Sequence, residues 1–304
     1  MWQQLLADLQ NKDAKALARS ISFIENEQPG YEEMLASLNI KHSVPVIGVT
    51  GSPGAGKSTL TDALIGKFIN DNKRIAVLCI DPSSPFNRGA VLGDRIRMSS
   101  WYLHKDVFIR SLATRGSLGG LHPKTIEVTE LLKAAGFDII IVETVGVGQS
   151  EVEIAGLADT TIVVLVPEAG DEVQTMKAGL MEIADVFVVN KSDRPDADLF
   201  FKNLRQMLAP AFHQQHEIPI IKTVANTGEG VQELYDKLIQ HNSSEHQQKK
   251  IWLLTEKAYQ LIQQQQMKSF PRSDLQQQIK MELSNHSEFN LYQFVKKVMD
   301  SKSN

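Results

Sequence analysis

Residues 51–58 read Gly51-Ser52-Pro53-Gly54-Ala55-Gly56-Lys57-Ser58, a complete G-x-x-x-x-G-K-[ST] pattern. The run before it, Val44 to Thr50, is apolar and valine-rich, the composition of a parallel strand buried on both faces. The run after it, Thr59 to Phe68, carries Leu60, Ala63, Leu64 and Phe68 at helical spacing. Strand, glycine loop and helix in that order make an anion cradle. The glycines let backbone N–H groups close on phosphates, Lys57 can reach the β and γ oxygens, and the Ser58 hydroxyl can hold Mg²⁺. All eight loop residues and Thr59 are therefore candidate nucleotide contacts. The expected fold class is α/β, a P-loop NTPase with a central, mainly parallel sheet flanked by helices.

Outward from this loop, strand and helix patterns alternate from Val44 to about Gln240, which implies a parallel sheet with right-handed crossovers. Expected strands are Val44–Thr50, Arg74–Ile80, Val107–Ser111, Asp138–Val142, Thr160–Val166, Val186–Val189 and Pro219–Thr223. Residues 1–42 read as an N-terminal helical extension, with Leu5, Leu9, Leu17, Ile21 and Ile24 at three- to four-residue spacings and a break at Pro29-Gly30. Residues 43–240 form the nucleotide-binding domain. From 241 the composition shifts through a polar hinge, His241 to Glu245, to a Gln-rich region with scattered apolar anchors such as Trp252, Leu261, Ile279 and Phe294. Residues 241–304 are expected to be two or three helices that pack on a partner subunit or on the nucleotide-binding domain.

The base is read at a second strand end. Asp185–Val189 leads into Asn190-Lys191-Ser192-Asp193, the N-K-x-D form. A carboxylate at Asp193 can accept from both N1 and N2 protons of guanine, and adenine offers no such donor pair. Asn190 would tie this loop to the phosphate loop, and the Lys191 stem would cover the base. Val224, Ala225 and Asn226, after the strand ending at Thr223, resemble the loop whose backbone meets the guanine O6. The expected ligand is GTP or GDP with Mg²⁺.

Two strand ends supply acids. Glu143-Thr144-Val145-Gly146 follows Asp138–Val142, where an acidic residue orders Mg²⁺ through water and a glycine N–H meets the γ-phosphate. Val147 follows Gly146 where many GTPases carry a water-orienting Gln or His, and Gln149 lies two positions on. Slow intrinsic hydrolysis, accelerated by a partner, is therefore expected. Asp81 opens the second loop, Asp81-Pro82-Ser83-Ser84 through Asp94, Arg95 and Arg97-Met98, which reads as a switch. Asp81 can serve Mg²⁺ or position water, or it can cap the turn before Pro82. Arg97 could reach phosphate, whereas Arg95 reads as a surface charge.

Composition bounds the class. A net charge of −4 and a pI near 6.1 argue against nucleic acid as the main partner. The lone Cys79 sits in an apolar strand, excludes a Cys-x-x-Cys metal site and suits a reducing compartment. No apolar run reaches about 18 residues, and the first residues lack a signal or transit pattern, so a cytoplasmic protein with no membrane partner is expected.

Taken together, these residues resemble the MeaB/ArgK family of methylmalonyl-CoA mutase-associated GTPases. The resemblance rests on Gly51–Ser58, Asp81–Ser84, Leu92-Gly93-Asp94 through Met98, Glu143–Glu151, Ala169-Gly170-Asp171-Glu172 and Asn190–Asp193. It implies a homodimer joined partly through C-terminal helices. It also implies attachment to an adenosylcobalamin-dependent acyl-CoA mutase, with GTP gating cofactor delivery and protecting the mutase. On that basis Ser58, Asp81, Asp94 and Glu143 would surround Mg²⁺ and the γ-phosphate, with Lys57 and Gly146 beside them. Val166 to Lys177 would be an extra switch read through Gln174 and Lys177. The chain departs from the family pattern at Arg88-Gly89-Ala90 and at Glu168 after Pro167, both in expected switches. The early lysine of many dimer-type relatives is absent, since Ser52 and Pro53 stand there, so an arginine from the mutase would supply the stabilising charge.

Other signals point elsewhere only faintly. His213 and His216 share a helical spacing without a companion ligand pattern, His104 and His122 are isolated, and Gln263–Gln266 reads as a solvated helix face. A nickel-insertion GTPase would need His- or Cys-rich motifs, and a transport-linked ATPase or kinase would need adenine, which Asp193 opposes. A nucleotide-switched scaffold for another metalloenzyme is the remaining alternative.

Overall fold

Buried parallel strands read as unbroken apolar runs, and here they assemble into one sheet. The computed structural model describes residues 2–40, 43–81, 98–114, 121–144, 146, 153–169, 183–208, 218–241 and 247–302. Among these, the sheet has seven strands: β1 (Val46–Thr50), β2 (Ile75–Asp81), β3 (Val107–Ala113), β4 (Ile139–Glu143), β5 (Thr160–Leu165), β6 (Val186–Asn190) and β7 (Ile220–Thr223). Their spatial order is β3-β2-β4-β1-β5-β6-β7, and every pairing is parallel. The five inner strands are buried along their whole length, and only the edge strands β3 and β7 are partly open. The seven expected strands are all present. Asp81 and Glu143 prove to be the last residues of β2 and β4 rather than the first of the loops beyond.

Helices cover both faces, and the period of two in each strand decides what they touch. Ile75, Val77 and Cys79 of β2 and Ile139 and Ile141 of β4 pack with Leu60, Leu64 and Phe68 of α4 (Lys57–Asn70). The alternate residues Ala76, Leu78, Ile80, Ile140 and Val142 pack with Ile21 and Ile24 of α2 (Ala14–Glu25) and with Val128, Leu131 and Leu132 of α5 (Thr125–Ala134). A third cluster sets Phe187 and Val189 against Phe200, Leu204 and Leu208 of α6 (Ala197–Leu208). Helix α7 (Val231–His241) adds Leu234, Tyr235 and Leu238 to the α4 face.

The N-terminal stretch is helical, but it breaks once more than its periodicity shows. Between α1 (Trp2–Gln10) and α2 the chain turns at Lys12, and the Asp13 carboxylate caps α2 by accepting from the Lys15 N–H at 2.7 Å. The expected break at Pro29-Gly30 precedes the short α3 (Tyr31–Ala36). A buried polar seam joins this region to the sheet. Arg110 of β3 donates to Glu25 at 2.6 Å, and the Lys124 ammonium meets Glu27 at 2.8 Å and Glu127 at 3.0 Å. Burial alone would lower the Lys124 pKa, but the hydrogen bond to Glu27 and the charge of Glu127 outweigh it and hold the pKa above its ordinary range. His122 is buried in the same seam.

Two compact units divide the chain, Met1–Lys250 and Ile251–Asn304. The second consists of the rest of α8 (Gln247–Lys268) with α9 (Arg272–Asn285) and α10 (Leu291–Lys302). Lys297 donates to Glu282 at 2.6 Å, joining α10 to α9. Trp252, Tyr259, Ile262, Met281, Leu291, Tyr292 and Met299 are exposed there, as is most of the glutamine run. Among the described residues, no helix is long and apolar enough to cross a membrane.

Candidate functional site

Because all strands run one way, the C-terminal ends of β1, β2, β4 and β6 share one edge of the sheet. That edge gathers the phosphate loop, Asp81, Glu143 and Asn190. The phosphate loop's carbonyls turn toward cationic and amide side chains. The Lys57 ammonium, itself buried, donates to the Gly51 carbonyl at 2.7 Å and to that of Ser52 at 3.0 Å. Lys191 donates to the Gly54 carbonyl at 2.7 Å, and the Asn190 amide donates to that of Ala55 at 2.8 Å. A trans peptide points its N–H opposite its carbonyl, so the N–H groups of Ser52 and Gly56 turn away from these partners. With the N-terminus of α4 opening at Lys57, the loop is a cradle for anionic oxygen.

Glycine is required at two contacts. Gly56 has φ +90°, and a Cβ there would lie 2.3 Å from the Asn190 amide nitrogen. Gly146 has φ +85°, and a Cβ would lie 2.1 Å from the Gly51 carbonyl oxygen and 2.6 Å from Lys57 Nζ. Gly146 thus lies directly over the phosphate loop.

Glu143 sits beside the helix start. Ser58 donates to Glu143 Oε1 at 2.6 Å, with both residues buried. Asp81 is 1% exposed and shares the face of β2 that carries Cys79, the register partner of Glu143. A buried hydroxyl and two buried carboxylates at strand ends make an all-oxygen donor set, which suits Mg²⁺ because it takes few protein carboxylates and completes its shell with phosphate oxygens and water. Among the described residues, no three of His, Cys, Asp or Glu gather as a metal-binding group.

At the N-K-x-D loop, Asn190 is the hub. Its Oδ1 accepts from the Thr223 hydroxyl at 3.0 Å and from the Ala225 N–H at 3.2 Å, while its amide holds the phosphate loop. Lys191 adopts φ +56°, which turns its side chain back over Gly54. Asp193 and Asn226 are exposed at the rim, and Val224 is buried, its carbonyl accepting from Thr227 and Gly228. Glu168, the departure noted after Pro167, pairs with Arg194 just past the N-K-x-D motif. The hydrogen bond from Arg194 holds the Glu168 carboxyl below its usual range.

A family model described as "Methylmalonyl Co-A mutase-associated GTPase MeaB" matches residues 17–283. The chain belongs to the MeaB family of GTPases. A protein of Pyrococcus horikoshii named as a GTPase is 46% identical to this family member over 243 residues, spanning 78% of this chain and 77% of the relative. GTPase ArgK of Escherichia coli is 31% identical over 296 residues, 93% of this chain and 86% of that one. The fused isobutyryl-CoA mutase of Geobacillus kaustophilus is 34% identical over 240 residues, 73% of this chain and 22% of that much longer protein. The solved structure of an LAO/AO transport system kinase superposes with a TM-score of 0.69 at 24% identity, covering 100% of this chain and 98% of that one, which speaks to the fold alone.

Several expected parts of this GTPase lie outside the described residues: Asp94, Arg95 and Arg97, the Arg88–Ala90 departure, Val147 and Gln149, Gln174 and Lys177, and His213 and His216. The sequence reading missed Arg194 as the partner of Glu168. It also missed Asp62 of α4, which accepts from the Trp101 indole at 2.8 Å. Neither pair has a local signature, since each joins residues brought together only by the fold.

Proposed function

We propose that this MeaB-family GTPase is the chaperone of an adenosylcobalamin-dependent acyl-CoA mutase of the methylmalonyl-CoA mutase type, gating cofactor loading and protecting the loaded mutase. One observation carries the reading: a segment homologous to most of this chain is built into the same polypeptide as an isobutyryl-CoA mutase in Geobacillus kaustophilus. Two activities fused in one chain in one organism commonly act on each other as separate chains in another.

In this reading the phosphate loop 51–58 with Thr59 binds the triphosphate, and Asp193 with the loop 224–226 reads guanine. Lys57 and the Gly146 N–H stabilise the γ-phosphate as its charge develops. Mg²⁺, held by Ser58, Asp81 and Glu143 together with Asp94, would supply charge neutralisation at the β and γ oxygens. Val147, standing where a water-orienting side chain is common, keeps the isolated protein slow, and the mutase accelerates it. The protein acts in the cytoplasm as a homodimer, and the exposed apolar side chains of residues 251–304 supply its contact.

Titrating a purified cobalamin-dependent acyl-CoA mutase into a single-turnover GTP hydrolysis assay tests the reading. The expected result is a rate rise of at least tenfold and co-elution of the two proteins with a GTP analogue. No rise and no complex would overturn the chaperone role while leaving the GTPase assignment intact.

A further inference from the structure

Two buried threonines lie where the phosphate loop and the Glu143–Gly146 loop leave the sheet. Thr50 ends β1, and Thr144 follows the end of β4. Val49 pairs with Glu143 in the parallel register, so Thr50 and Thr144 occupy the next rung. There the ladder continues in two ways. The Thr144 N–H donates to the Val49 carbonyl at 3.0 Å, and the Thr144 hydroxyl donates to the Thr50 hydroxyl at 2.9 Å. Thr50 is 0% exposed and Thr144 2%, so water does not compete for either hydroxyl.

The residues on either side of this bond are those that meet above it. Thr50 is followed at once by Gly51, whose carbonyl receives Lys57 Nζ. Thr144 is separated by one residue from Gly146, which closes so tightly over Gly51 and Lys57 that no Cβ fits. A shift of either loop by a few tenths of an ångström would change the approach of Gly146 to Lys57. We propose that the Thr50–Thr144 hydroxyl pair is a positioning pair that sets the gap between Gly146 and the phosphate loop, and thereby sets how well the site distinguishes a nucleoside triphosphate from a diphosphate.

The proposal rests on the nucleotide reading of this site and adds a residue-level cause of discrimination to it. GDP would be held by the loop 51–58 and the base loops and, having no γ-phosphate, would not reach the Gly146 N–H. Only a γ-phosphate would meet the Gly146 N–H and Lys57 together. Loosening the pair therefore weakens triphosphate binding and leaves diphosphate binding in place. A merely structural pair would weaken both alike.

Thr144→Val and Thr50→Val keep the shape and remove one hydroxyl each, and Thr144→Ser keeps the hydroxyl. Affinities of the full-length protein for GDP and a non-hydrolysable GTP analogue are measured by calorimetry, with a thermal melt of each variant. The expected result is about a fivefold loss of analogue affinity in either valine variant, the equivalent of one hydrogen bond, with GDP affinity changed less than about twofold. The double valine variant should lose no more than a single one, because either change alone already breaks the bond. Thr144→Ser should restore discrimination. Equal losses for the two nucleotides, or unchanged affinities with a lowered melting temperature, would overturn the positioning role. Should a valine variant fail to fold, the double variant, which leaves no orphaned hydroxyl, and Thr144→Ser carry the same comparison. Wild-type protein that bound neither nucleotide would instead overturn the reading of the site itself, a result distinct from a variant that binds both without preference.

Discussion

The phosphate end and the base end of the site are built on different terms. At the phosphate end Lys57, Ser58, Asp81 and Glu143 are all buried, and Lys57 and Ser58 are held by bonds of 2.6 to 3.0 Å to their neighbours. At the base end Asp193 and Asn226 are exposed and Lys191 is partly so, while Asn190, Val224 and Ala225 are buried behind them. The difference teaches where preorganisation lies. On the proposed reading, the groups that would stabilise charge sit in a low-dielectric pocket where electrostatics are strong, while Asp193, which would choose the base, stands at the rim and its loop is held by Asn190.

That contrast can be broken from the phosphate side first. Lys57→Ala removes the buried ammonium, and single-turnover GTP hydrolysis should fall about 10²- to 10³-fold, the scale of losing one preorganised electrostatic group. A fall of less than about threefold would mean that Lys57 is only a brace for the loop. Next comes the hub. Asn190→Ala orphans the Ala55 carbonyl, the Thr223 hydroxyl and the Ala225 N–H, and chemical denaturation should show about 2 kcal/mol less stability without nucleotide. An unchanged unfolding midpoint would show that the two ends are independent.

On the rim, Asp193→Asn should cut the preference for GTP over ATP by about tenfold while leaving the melting temperature within about 1 °C, since the side chain is exposed. Competition binding reads it, and a preference left intact would place guanine recognition elsewhere. The smallest effect belongs to Glu168. Glu168→Gln breaks an exposed ion pair, so GDP release measured by stopped-flow should speed up by about twofold at low salt and by less at high salt. Because pairing depresses the Glu168 pKa, its contribution is complete at neutral pH and fades in acid as the carboxyl takes up a proton. A salt-independent rate would exclude the ion pair as its cause.

Much of the architecture was legible in the chain. Parallel strands buried on both faces appear as unbroken runs such as Ile75–Ile80 and Thr160–Leu165, and helix-period signals stand out between them. Elements whose ends are set by local chemistry were read to within two residues. Less visible were features set by register and packing. The turn before Ala14 hinges on one capping carboxylate within a continuous helical pattern, and so the periodicity conceals it. His122 is buried 4.0 Å from Glu25, which comes from α2 and in turn holds Arg110 of β3, and no spacing along the chain encodes that meeting. In the site, motif residues announced themselves, whereas Lys191 on Gly54, Arg194 on Glu168 and Thr144 on Thr50 are pairings that no spacing along the chain encodes.

The double grip of Asn190 has one more consequence. Its amide spans the loop that would cup phosphates and the loops that would cup a purine, so ordering one side pre-tensions the other. Guanosine alone or pyrophosphate alone would engage half of this linkage and gain little. On the proposed nucleotide reading, only a molecule that bridges both would draw the linkage tight, and the protein would then favour intact nucleotides over their fragments.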